Sequence, residues 1–241
     1  MKVTLPVWDR EFLNLDIVAI ELEKGDTATT FRERLSALPA ELYYLSLDSS
    51  MESSWKEELS AVGAKSYGHR VQFSQTLSRA KTPDNALNAI QAINPESSSK
   101  TLYELAIASG IYSRFRLDPQ LNIYFECLYR YWLDLAFREP ENYFLLAMPD
   151  ENGFSGLLLG SIRGTTGRIE LFAVAEVARQ RGIGQALWQQ AVTRFLRHEV
   201  NSVSVATQQE NLGACRFYEK IGFLLESSNA IWHLWRKNDR L

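Results

Sequence analysis

The chain has 241 residues, of which 46% are hydrophobic, 12% aromatic and 23% charged, enough apolar material for a large core at an ordinary charge content. Its 26 Lys and Arg against 29 Asp and Glu leave a formal net charge of −3, which gives no broad basic footprint for nucleic acid or an acidic membrane. Two cysteines, Cys127 and Cys215, and three histidines without a Cys-x-x-Cys or His-x-Glu spacing argue against a disulfide framework and against a bound metal.

The stretch Met1 to Pro6 has no long apolar run, and no segment of about twenty apolar residues follows it, so a cytoplasmic chain is expected. Val18, Ile20 and Leu22 alternate as a strand, Thr29 to Leu38 reads as a helix up to Pro39, and Leu42 to Leu47 reads as a strand. A helix over Met51 to Val62 stops at Gly63, and a strand is expected over Gly68 to Leu77. Alternating short elements imply a compact α/β unit over residues 1–80.

Ser78 to Lys100 carries Pro83, Pro95 and Ser97-Ser98-Ser99 around a possible helix from Asp84 to Ile93, so residues 81–99 read as a connector. A second unit, 100–241, opens with helices over Thr101 to Ser109 and Asn122 to Phe137, joined by Gly110 to Gln120. Tyr124, Leu128 and Trp132 share helical spacing and read as core. Cys127 and Cys215 fall on predicted helices among apolar neighbours, where buried free thiols are expected.

Arg179-Gln180-Arg181-Gly182-Ile183-Gly184 lies between a strand-like run, Ile169 to Val174, and a helix-like run, Gln185 to Glu199. It has the makings of an anion cradle: glycines permit close backbone approach, and a helix's first N–H groups lack intrahelical partners and sit at the positive end of its dipole. A Gly-x-Gly turn can also be purely conformational. A further strand, Ser202 to Thr207, then leads to Asn211-Leu212-Gly213-Ala214-Cys215-Arg216-Phe217-Tyr218-Glu219-Lys220-Ile221-Gly222-Phe223, a short amphipathic helix with Gly222 at its C′ position. Trp188, Val192, Phe195 and Leu196 give the longer helix an apolar face for packing on the sheet.

Together these motifs resemble the acetyl-CoA-binding core of the GNAT superfamily of N-acetyltransferases, over residues 100–241. The resemblance implies a GNAT acyl-CoA N-acyltransferase fold of class α/β (α+β), with a mixed, mainly antiparallel sheet. The smaller unit before it would be a truncated GNAT-like copy, since Glu58 to Gly63 followed by a strand echoes Glu219 to Phe223 followed by Ile231 to Trp235; a generic helix–Gly–strand unit explains the echo equally well. It further implies that Arg179, Gln180, Arg181, Gly182, Ile183, Gly184 and Gln185 hold the pyrophosphate of acetyl-CoA. By the same resemblance Phe172, Ala173 and Val174 would pair with the pantetheine arm on a splayed strand, Asn211 would hydrogen-bond that arm, and Tyr218 would protonate the departing thiolate. Two positions depart from the family pattern: Glu176-Val177-Ala178 replaces a Pro and an aromatic residue, and Gln180 stands where Gly is common.

Direct transfer from a thioester to a neutral amine needs an N–H for the developing oxyanion, near Val174, and a proton donor for sulfur; a phenol, of ordinary pKa about 10, suits the second task. Tyr218 could instead simply pack with its hydroxyl at the surface. Arg216 and Lys220 could meet cofactor phosphates, although a solvated helix face is the simpler reading. For the base, His233, Glu170 and Asp118 are alternatives to ordered water.

On the acceptor side the resemblance points to the joint between the first two helices, where Ser113, Arg114, Arg116 and Asp118 become substrate-binding candidates. Tyr112 to Pro119, Val205 to Gln208 and Ile231 to Trp235 look like the GNAT branch of nucleotide-amino-sugar N-acetyltransferases, dTDP-fucosamine acetyltransferase among them. That implies the 4-amino group of a dTDP-linked 4,6-dideoxyhexose as acceptor and a place in surface-polysaccharide biosynthesis. Paired arginines suit its diphosphate, and Tyr112, Phe115, Tyr129 and Trp132 could wall its thymine and sugar. Another small amine, a protein N-terminus, or a catalytically silent acyl-CoA-binding module are the alternatives. The second helix or a terminal strand could form a homodimer interface.

Overall fold

A computed structural model describes residues 1–78, 90–93 and 99–236. Most of the expected helix from Asp84 to Ile93 lies outside these residues. They divide into two compact units, neither of them one stretch of chain: the first comprises Met1–Val71, Gln208–Asn211 and the chain from Ser227, the second Gln72–Thr207 and Leu212–Glu226.

The first unit opens with strand β1 (Lys2–Thr4), helix α1 (Val7–Leu13), strand β2 (Ile17–Leu22), helix α2 (Ala28–Ala37), strand β3 (Leu42–Asp48) and helix α3 (Glu52–Ala61). β2 and β3 run parallel, as a strand–helix–strand crossover requires, and β1 pairs antiparallel with β2. Helix α2 starts where the periodicity indicates because Thr27 and Thr30 form a reciprocal capping box. Phe31 and Leu35 of α2 and Trp55 and Leu59 of α3 cover Val18, Ile20, Tyr43, Leu45 and Leu47. Strand β4 (Lys65–Thr76) follows and crosses from the first unit into the second.

The second unit contains strand β5 (Gln91–Ala92), helices α4 (Lys100–Ser109), α5 (Arg114–Leu117) and α6 (Phe125–Arg138), and strands β6 (Tyr143–Asp150), β7 (Gly153–Arg163) and β8 (Thr166–Val174). Helix α7 (Ile183–Arg197), strand β9 (Ser202–Gln208) and helix α8 (Leu212–Lys220) complete it. Its strand order is β4-β9-β8-β7-β6-β5. The β5–β6, β6–β7 and β7–β8 pairs are antiparallel and β8–β9 is parallel across α7, the mixed, mainly antiparallel sheet expected. Strand β7 is buried without interruption from Ser155 to Ser161, so both its faces are covered; α4 and α7 both pack on it.

The last strand, β10 (Leu224–Trp235), changes the expected division into 1–80 and 100–241. From Asn229–Asp48 to Trp235–Leu42 it pairs antiparallel with β3, and Ala230, Trp232 and Leu234 fill the first unit's core. Gln91 and Ala92, read as the end of a helix, pair with β6 as a strand. The expected burial of both thiols also fails: Cys127 is exposed and Cys215 half-buried, because α6 turns Leu128, Tyr129 and Leu133 inward and leaves Cys127 on its outer face.

Candidate active site

The site is built on the end of β8. This strand pairs with β9 only from Thr166–Ser202 to Ile169–Val205, although the two continue to Val174 and Gln208. On its other side β8 stays paired with β7 through Val174–Gly156, with a register shift at which Glu170 is the extra residue. A bulge adds twist and bends its strand, and beyond it the edge of Phe172, Ala173 and Val174 toward β9 is left open to a ligand.

The chain leaves β8 through a 3-10 turn, Glu176–Ala178, with Ala178 buried inside it. Arg179 turns back, its Nε donating to the Val174 carbonyl at 3.3 Å, so it ties the loop to the strand end. Gln180, at φ 63°, and Gly182, at φ 79°, occupy the left-handed region. At Gln180 the family's glycine would be unstrained, and a side chain costs about 1 kcal/mol. The loop keeps its shape despite this departure, because its turn is made by backbone bonds, Ala178 N–H to the Ala175 carbonyl and Arg179 N–H to the Glu176 carbonyl.

Gly182 is the N-cap of α7 and offers no side-chain cap. The first helical bond is Ala186 N–H to the Gly182 carbonyl, which leaves the N–H groups of Ile183, Gly184 and Gln185 for a ligand. A Cβ placed on Gly182 would meet nothing within 4 Å, so the cradle opens onto free space; Arg179, Gln180, Arg181 and Gln185 are all exposed around it. At Gly184 a Cβ would lie 3.2 Å from Phe217 Cε2 and 3.8 Å from Val174 Cγ2. The missing side chain therefore lets α8 close onto the first turn of α7.

Tyr218 follows on α8, 5% exposed among the rings of Phe73, Phe172, Phe217 and Phe223. Burial first, and Cys215 second, push its phenol well above the ordinary value, so it holds its proton throughout the neutral range. Asn211, whose N–H bonds to the Gln208 carbonyl, leads the chain into α8.

The acceptor candidates separate into two kinds. Ser113 is buried and caps α5, its Oγ accepting from Arg116 N–H at 3.4 Å. Asp118 is 0% exposed and accepts the N–H of Gln120 at 3.0 Å. These two shape the segment from within. Arg114 lies over the Phe115 ring and Arg116 over that of Phe125, with Arg116 Nη1 donating to Asn122 Oδ1 at 3.0 Å. Of the four proposed walls, Phe115 and Tyr129 are core residues. Burial holds the Tyr129 phenol at about 12, partly offset by its hydrogen bond to Ser113. Tyr112 is exposed and Trp132 half-buried.

Of the three side chains considered as base, His233 is 1% exposed between Tyr44 and Tyr67 in the first unit and Asp118 is enclosed. Glu170 keeps solvent access, at 27% side-chain exposure, with Ser161 Oγ donating to it at 2.6 Å and Arg168 Nε at 3.2 Å. Among the described residues no group of His, Cys, Asp or Glu is placed to hold a metal ion. No described helix is long and apolar enough to cross a membrane.

The family model described as Acetyltransferase (GNAT) family matches residues 108–223, the stretch that contains the open strand, the cradle and Tyr218. This segment is a GNAT acetyltransferase domain.

A GCN5-related N-acetyltransferase from Sphaerobacter thermophilus is 18% identical, with 99% of this chain and 78% of that one covered at a TM-score of 0.58. A conserved protein of unknown function from Staphylococcus epidermidis gives 12% identity, 92% and 85% coverage and a TM-score of 0.58. For a tandem GNAT protein from the clavulanic acid biosynthesis pathway the values are 13%, 93% and 77%, and 0.53. At these identities the likeness is one of fold. No curated protein matches the sequence. The GNAT domain makes the protein an acetyl-CoA-dependent N-acetyltransferase, which moves acetyl to an amine.

Proposed function

We propose that the acceptor is the amino group of a nucleotide-linked amino sugar, a dTDP-4-amino-4,6-dideoxyhexose, and that the residues above divide the work of transfer. One observation carries the assignment of roles: Tyr218 lies beside Phe172 at the open end of β8, ring centroids 6.4 Å apart. A proton donor and an unpaired strand edge thus adjoin each other.

Acetyl-CoA supplies an acetyl group activated as a thioester. The N–H groups of Ile183, Gly184 and Gln185 hold its pyrophosphate, with Arg181 adding positive charge. The open edge of Phe172 to Val174 pairs with the pantetheine arm, and Asn211 hydrogen-bonds it. Val174 N–H donates to the carbonyl oxygen as negative charge gathers there. The N–C bond forms as the C–S bond breaks. Glu170 takes the proton the amine loses, directly or through water, and Tyr218 gives its proton to the departing sulfur. Proton count balances when Tyr218 is recharged from solvent.

For the acceptor, Arg114 and Arg116 supply two cations on a four-residue helix beside the exposed Tyr112, a combination suited to a diphosphate carrying a flat base. Such a reaction belongs in the cytoplasm. The test is release of free CoA thiol with dTDP-4-amino-4,6-dideoxyhexoses against polyamines, amino acids and peptides. Turnover confined to the nucleotide sugars is expected; turnover only with another amine would discard this acceptor and keep the transfer chemistry.

A further inference from the structure

Glu170 stands at a fork within the second unit. It is the extra residue of the bulge against β7, between Ile169, opposite Gly160, and Leu171, opposite Leu159. The ladder with β9 ends one residue before it, at Ile169–Val205. Among the described residues Glu170 therefore has a register partner on neither side. A ladder fixes the direction of a side chain through the backbone; where that hold is missing, the carboxylate must be aimed by other means.

Two side chains hold it, in different settings. Ser161 Oγ donates to Oε1 at 2.6 Å, the short distance of a charge-assisted bond, and Arg168 Nε lies 3.2 Å from Oε2. The Arg168 side chain is 50% exposed, and an ion pair so open to water contributes little. Ser161 is 3% exposed at the end of the buried run of β7, where a hydroxyl needs a partner, and its proton goes to Glu170. Ser161 and Arg168 are opposite each other and so share a face of the sheet. Their neighbours Gly160 and Gly167 turn to the other face, where Phe144 of β6 and Phe195 of α7 fill the room that a side chain would need. Glu170 is thus held on the face that α4 covers, since α7 takes the other. From the end of α4 the chain runs on to the segment of Arg114 and Arg116.

We propose that Ser161 is a positioning residue for the transfer, holding one oxygen of the Glu170 carboxylate so that the other keeps a fixed direction toward the incoming amine. The inference rests on the role of Glu170 as base proposed above. Its physical basis is that proton abstraction demands close geometry, and a side chain meets that demand when neighbouring groups have locked it beforehand. The bulge frees Glu170 from both ladders, and the buried hydroxyl restores the order that the ladders no longer supply. Ser161 keeps its own proton throughout; the proton of the amine passes to Glu170 and on to solvent.

The test measures two quantities on the full chain: kcat for thiol release from acetyl-CoA with an amine of the panel above that turns over, and the dissociation constant of acetyl-CoA by calorimetry. Ser161→Ala is expected to lower kcat about tenfold, within the about 10²-fold that a misplacement of about 1 Å can cost, and to leave acetyl-CoA affinity unchanged. Ser161→Thr, which keeps the hydroxyl, restores most of the rate, and it serves in place of the alanine variant should that one fail to fold. In a Glu170→Gln background Ser161→Ala has no further effect on kcat, because the group it aims no longer takes a proton. In crystals of Ser161→Ala the Glu170 carboxylate is expected to leave its place, a readout that needs no acceptor. Parental kcat in Ser161→Ala overturns the inference, as does a carboxylate that stays where it is. So does a loss that Thr does not rescue, that extends to acetyl-CoA affinity, or that recurs in full on top of Glu170→Gln. If Glu170→Gln turns over as the parent does, the base assignment falls and takes this inference with it.

Discussion

The ring of Phe172 on β8 stands edge-on to that of Phe217 on α8, centroids 5.2 Å apart and planes at 87°. A Cβ on Gly184 would lie only 3.2 Å from Phe217 Cε2, so this one side chain ties together the open strand, the first turn of α7 and the helix that carries Tyr218. Edge-to-face pairs of this kind contribute about 0.5–1.5 kcal/mol beyond their buried area.

Gly184→Val should expose that dependence. A branched side chain would collide with Phe217 and Val174, and overpacking of this kind costs about 1–3 kcal/mol. We expect a lower Tm together with acetyl-CoA affinity reduced at least about tenfold, one decade being about 1.4 kcal/mol. Unchanged affinity in the folded variant would remove Gly184 from the cradle.

Tyr218→Phe deletes a hydroxyl and leaves the aromatic packing in place. Loss of a general acid lowers turnover by about 10²-fold or more, and acetyl-CoA binding is expected within about twofold of the parent. Because burial raises the phenol's pKa above the ordinary value of about 10, no loss of parent activity from Tyr218 ionisation is expected below about pH 10. A Phe variant with parental turnover would assign the acid elsewhere.

Glu170→Gln removes the one base candidate with solvent access while keeping a partner for Ser161. Turnover should drop by about 10²-fold. Parental turnover in the Gln variant would leave water as the first proton acceptor.

Within the first unit the His69 imidazole is held by two carboxylates, Nε2 at 2.7 Å from Glu52 Oε2 and Nδ1 at 3.2 Å from Glu210 Oε1. Its folded pKa is raised above 6.5 by Glu52 and Glu210, against the opposing effect of burial. The stabilisation it confers is therefore fully present below the unfolded value and lost as pH rises through the folded one. The Tm difference between parent and His69→Gln should be greatest in mild acid and shrink on the alkaline side. A difference that grows with pH would contradict an imidazole held by Glu52 and Glu210.

Much of the site could be read from local pattern. The spacing of Gly182 and Gly184 before an amphipathic run, and Asn211 to Tyr218 before Gly222, are consecutive features that need no knowledge of distant partners. Gln180 and Ala178 looked like obstacles and are not, since backbone bonds form the loop. The bulge at Glu170 and the open edge beyond it depend on which strands pair with β8 and for how long, and nothing in the string Ile169 to Val174 encodes that. The polar residues Ser113 and Asp118 looked like surface ligands, yet both are buried, because each satisfies backbone N–H groups of its own turn. The bond from His69 N–H to Glu210 joins residues 141 positions apart, a separation no periodicity reports.

The return of β10 to β3 has a consequence for how the protein is made. Residues 229–235, which complete the first unit, are the last of the described strand residues to leave the ribosome, long after their partners Leu42–Asp48. Until then β3 lacks its antiparallel neighbour, and Phe31, Tyr43 and Trp55 lack the cover of Ala230, Trp232 and Leu234. A nascent chain stalled just past Glu226 would already contain the cradle, Asn211 and Tyr218, yet its first unit would expose an unfinished sheet edge, the kind of surface that recruits chaperones or a neighbouring chain.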